Sequence, residues 1–90
     1  MDKIEELRKD IDNLDISLIK ILKHRMELSK KIGEIKSENK IHIYDQNRED
    51  KILDSLYNND IKILKGEQNK DFIKELWNSI MKFSRLNQIN

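Results

Sequence analysis

From residue 4 to residue 35, apolar side chains recur at alternating steps of three and four: Ile4, Leu7, Ile11, Leu14, Leu18, Ile21, then Leu28, Ile32 and Ile35. This is the spacing of a helix seam that faces a partner along its whole length. No proline interrupts it, and Gly33 is its only weak point. The pattern predicts one helix from Asp2 or Lys3 to about Glu38. Such a helix extends roughly 50 Å, at 1.5 Å per residue. The remainder of a 90-residue chain cannot cover that length. A periodic helix this long pairs with another chain, so an intimate homodimer is expected.

One position breaks the seam. The residue due after Ile21 is Arg25. A buried guanidinium is costly unless paired, which calls for Asp15, Glu27 or a bound anion as counter-ion. The alternative is a solvated arginine whose head snorkels past the seam. Beside the seam, Arg8, Leu22, Ser29 and Lys36 form a column of residues seven or fourteen apart. Arg8 and Lys36 lie about 42 Å apart along the helix, too far to share a small-molecule site within one chain. Antiparallel pairing brings Arg8 of one chain toward Arg25 and Lys36 of the other, and two equivalent sites follow.

The rest of the composition fits an all-α chain and excludes several function classes. Charged residues make up 39% and hydrophobic ones 37%, with no proline and only Gly33 and Gly66 as glycines. Cysteine is absent, which removes disulfides and thiolate metal sites. The 18 basic and 17 acidic residues are interleaved and leave a net charge of +1, so no basic stripe marks a nucleic-acid binder. No apolar run approaches the roughly 20 residues of a membrane span, and "MDKIEELRKD" has no apolar signal core. A cytoplasmic location is expected. Only Arg8, Arg25, Arg48 and Arg85 are arginine in a chain that otherwise uses lysine. Arginine's planar fork is the group that grips carboxylates in bidentate fashion.

After the long helix, "SENKIHIYDQ" breaks the period and holds a loop. Asp45 is the expected N-cap of a short second helix whose apolar face is Ile52, Leu53, Leu56 and Tyr57. "NNDIKILKGEQNK" is a turn-rich connection in which "IKIL" extends helix 2 or packs irregularly. A third helix is expected from about Lys70 to Asn87, with Phe72, Ile73, Leu76, Trp77, Ile80 and Met81 inside. The stripe through Ile73, Trp77 and Ile80 continues to Ser84 and Gln88, two hydrogen-bonding groups on one face. Fraying of the helix end into solvent is the competing reading. His24 and His42 lack a third ligand and are read as ordinary residues, so no metal site is expected. The chain has no glycine-rich phosphate loop and no nucleophile motif.

The string "LRKDIDNLDISLIKILKHRMELSKKIGEIK", with "YDQNREDKIL" and the ending "SRLNQ", resembles the all-helical chorismate mutase family over nearly the whole chain. The matching pieces are Leu7-Arg8-Lys9-Asp10-Ile11-Asp12-Asn13-Leu14-Asp15, then Arg25-Met26-Glu27-Leu28 through Lys36, then Asp45-Gln46-Asn47-Arg48-Glu49. The resemblance implies one domain over residues 1–90, a three-helix protomer and an intertwined homodimer with two active sites. It also implies rearrangement of chorismate to prephenate without cofactor or metal, on the route to phenylalanine and tyrosine. By the same resemblance, Arg25 and Arg8 of the other chain clamp the substrate carboxylates. Lys36 and Gln88 donate to the ether oxygen. Glu49 accepts from the ring hydroxyl, with Asp45 and Arg48 nearby, and Ser84 contacts a carboxylate. Two alternatives remain: isochorismate pyruvate-lyase of the same fold, and a non-catalytic helical dimerisation module.

Overall fold

The computed structural model of the protein describes residues 2–59, 62 and 68–89. Its helices are α1 (Asp2–Glu38), α2 (Gln46–Asn58) and α3 (Gln68–Gln88). The architecture is all-α, and α3 starts two residues earlier and ends one later than the sequence pattern indicates. Most of "IKIL" and of the connection around it, residues 60, 61 and 63–67, lies outside the described residues.

α1 spans 37 residues, and the structure measures 57 × 27 × 16 Å, so one helix sets its long dimension. A Schellman-type turn ends it. Ile41 N–H reaches back to the Lys36 carbonyl at 2.8 Å, and Lys40 N–H to that of Ser37 at 3.3 Å. This turn puts Lys40 at φ 54°, the left-handed region that glycine occupies at least cost. Asp45 then caps α2, its Oδ1 accepting from Arg48 N–H at 3.0 Å. These two devices, centred on Lys40 and Asp45, bracket the α1–α2 loop and set where α2 begins.

α3 packs against both α1 and α2. The small face of α1, with Ser29 and Gly33 buried, receives the end of α3. Among the described residues the most buried apolar ones are Ile73 and Met81, at 8% and 3% exposure. Two residues expected inside, Phe72 and Leu76, are exposed. Their stripe is apolar at helical spacing, but among the described residues no element covers that part of it. The α1 seam behaves likewise. Its nine apolar residues remain 47–65% exposed, because α3 packs beside the seam and only along the latter part of α1.

Candidate active site

A cleft of about 260 Å³ opens where the end of α1, the start of α2 and the end of α3 meet. Seven of the sequence-predicted site residues line it: Arg25, Lys36, Asp45, Arg48, Glu49, Ser84 and Gln88. Leu28, Ile32, Ile43, Ile52 and Met81 supply its apolar walls. The eighth, Arg8, does not line it. It sits two-thirds exposed on the far part of α1 and pairs with Glu5 at 2.7 Å.

Arg25 reaches the cleft from α1 and donates to the hydroxyl of Ser84 on α3. Among the described residues no carboxylate pairs with it, and Glu27 instead approaches Lys23 at 4.0 Å. Asp15 and Glu27 are therefore not its counter-ions within the chain. Burial, and then the like charge of Arg48, lower the pKa of Arg25 from the usual arginine range. Both effects penalise the cation, and an anion bound between the two guanidiniums relieves both.

Lys36, three turns further along α1, donates from Nζ to the carbonyl of Ile43 at 2.8 Å and to Oε1 of Gln88 at 2.9 Å. An ammonium carries three N–H donors, so one is left for an incoming acceptor. Gln88 is held on its other side, its Nε2 donating to Ser29 Oγ at 3.3 Å. Thus α3 does not fray at Ser84: it stays helical through Gln88 because polar contacts to α1 fix its last turn.

Arg85, one of the four arginines but not among the expected site residues, also lines the cleft. It forms an ion pair with Glu49 on α2, and its guanidinium lies 5.4 Å from the centroid of the Tyr44 ring. Its side chain and that of Glu49 are only 32% and 17% exposed. One neighbour of Ser84 on α3 thereby ties α2 to α3 across the cleft. In the sequence Arg85 reads as a basic residue in the last turn of a helix, where such residues are common. Its partner is too far along the chain for periodicity to reveal. Arg25, Lys36, Arg48 and Arg85 face Asp45 and Glu49, so cations outnumber carboxylates around a cleft with apolar walls. The arrangement suits a small, partly apolar anion with more than one carboxylate.

The family model for chorismate mutase type II matches residues 7–89. The chain belongs to that family. Among curated relatives, it is 39% identical over 56 residues to the bifunctional chorismate mutase/prephenate dehydratase of Aquifex aeolicus, a match covering 62% of this chain and 16% of that one. It is 38% identical over 56 residues to the chorismate mutase of Methanocaldococcus jannaschii, covering 62% of this chain and 57% of the other. The chain thus spans less than two thirds of the length of either of these curated relatives.

Proposed function

We propose that this protein is a chorismate mutase, an isomerase converting chorismate to prephenate by a unimolecular [3,3] shift. In this reaction the ether C–O bond breaks as a C–C bond forms between the enolpyruvyl methylene and the ring. Atoms and electrons balance within the substrate, so no nucleophile or redox partner is consumed. The protein's task is to hold a flexible dianion in a chair-like shape and to stabilise charge on the departing oxygen.

The observation that carries this reading is the Lys36–Gln88 contact beside a guanidinium without a carboxylate partner. Lys36 has a donor to spare, and so does the Nε2 amide of Gln88, which spends one N–H on Ser29. Two converging donors at the ether oxygen act most strongly when negative charge develops there, which is the condition for raising turnover. Arg25 takes one substrate carboxylate with Ser84 beside it. Glu49, steadied by Arg85, accepts from the ring hydroxyl, with Asp45 and Arg48 at the same end of the cleft.

The reading includes a homodimer in which Arg8 of the partner chain completes each cleft. The exposed seam supports it. Burying a large aliphatic side chain contributes about 1.5–3 kcal/mol, and nine such residues stand in one line along α1. Arg8 lies about 26 Å along α1 from Arg25, so it reaches a cleft only by antiparallel pairing of two long helices.

The test is chorismate consumption by the purified protein, with product identified by acid conversion of prephenate to phenylpyruvate. Prephenate formation supports the reading. Absence of turnover by a folded protein, or release of pyruvate from isochorismate instead, overturns it.

A further inference from the structure

We infer that Ser29 and Gly33, one turn apart on α1, form a seat that fixes the position and amide orientation of Gln88. The inference rests on the mutase reading for its kinetic consequence, but not for its geometry. Gly33 supplies the space. A Cβ at residue 33 would lie 2.5 Å from Gln88 Cα, 2.6 Å from its carbonyl oxygen and 2.8 Å from its Cβ, all closer than any real contact. The absence of a side chain there lets the last turn of α3 lie directly on α1.

Ser29 supplies the orientation. It is 5% exposed, and its hydroxyl donates to the Ser84 carbonyl at 2.9 Å. A hydroxyl has a single hydrogen, so toward Gln88 it can only accept. Lys36, on the opposite side of the amide, can only donate. Each neighbour separately demands the same arrangement: Oε1 toward Lys36 at 2.9 Å, Nε2 toward Ser29 at 3.3 Å. Reversal would set a donor against the ammonium and an acceptor against the hydroxyl's lone pair. The amide is therefore locked with one Nε2 hydrogen unspent, the group the reaction requires as donor. Ser29 and Gly33 touch no reacting atom; they are positioning residues.

The test has a spectroscopic and a kinetic arm, both on the full chain. The side-chain amide signals of Gln88 are identified in a 15N spectrum by their loss in Gln88→Ala. They are expected to show slowed exchange with water, and Ser29→Ala to remove that protection. In kinetics, Ser29→Ala is expected to lower kcat about tenfold with KM within about twofold, the size of effect expected from removing one partner of a buried hydrogen bond. In a Gln88→Ala background the same substitution is expected to cost nothing further, because the group it positions is gone. Unchanged Gln88 signals in Ser29→Ala overturn the inference. So does an equal loss of kcat in both backgrounds, which marks Ser29 as packing alone. Should Ser29→Ala fail to fold, Gly33→Ala reads the same seat: displaced Gln88 amide signals support it, unmoved ones overturn it. A protein inactive on chorismate fails the mutase reading, while the amide signals still decide the seat.

Discussion

Lys36 and Gln88, on different helices and 52 residues apart, meet at 2.9 Å between ammonium and amide oxygen. The contact ties the end of α1 to the end of α3, and it sits at the mouth of the loop that α1's final turn sends toward Asp45. The carbonyl of Ile43, in that loop, takes the second donor of the same ammonium. One lysine therefore collects α1, the α1–α2 loop and α3 around a single point. That point is where the proposed reaction places developing negative charge.

Lys36→Ala is expected to lower chorismate turnover about 10²–10³-fold, roughly 3–4 kcal/mol of transition-state stabilisation. Stability changes far less, since the side chain is half-buried and its carbonyl partner Ile43 lies at the cleft edge. Steady-state kinetics beside a circular dichroism melt checks both parts. Normal turnover in a folded variant removes Lys36 from the site.

Arg85→Met keeps the aliphatic stem but removes the charge that faces Glu49 and Tyr44. The pair is partly screened at 32% and 17% side-chain exposure, so the expected loss of stability is about 1 kcal/mol. Denaturant unfolding gives the number. A double-mutant cycle with Glu49→Gln isolates the ion pair, and independent, additive effects would count against it.

Lys40→Gly relieves the left-handed backbone at φ 54° without disturbing the turn that closes α1. The expected gain is about 1 kcal/mol, which raises Tm by roughly 4–8 °C in a domain of this size. A thermal melt shows it. Lower stability would mean the Lys40 side chain has a role that outweighs the backbone cost.

Leu14→Glu puts a charge in the middle of the exposed seam while touching nothing in the cleft of its own chain. Sedimentation equilibrium is expected to show twice the chain mass for the unmodified protein and a shift toward single mass for the variant. Turnover should fall with the dimer, because Arg8 then no longer reaches a neighbouring cleft. A variant that is monomeric and fully active would remove Arg8 from the account.

Much of the fold was legible because helix signals are local. The seam, the absence of proline and the Asp45 cap set α1 and the start of α2 within a residue or so. Arg25 stood out because it violated an otherwise regular period. Other features depend on what packs across the chain. Phe72 and Leu76 belong to a genuine apolar stripe, yet a stripe does not say which element covers it. Gly33 read as a weak point of a helix, and its reason appears only where α3 crosses it. Arg85 stands out only as one of four arginines and Ser29 only as a member of the column beside the seam; what they bind is not legible, because their partners Glu49, Ser84 and Gln88 lie 36 to 59 positions away.

The central claim is that the counter-ion missing from Arg25 is the substrate. The direct measurement is chorismate turnover by the unmodified protein and by Arg25→Ala, side by side, with both shown to be folded. Prephenate formed by the first and abolished in the second is the predicted result. Equal turnover by the two proteins would contradict the account, since the half-buried guanidinium would then have no anion to serve.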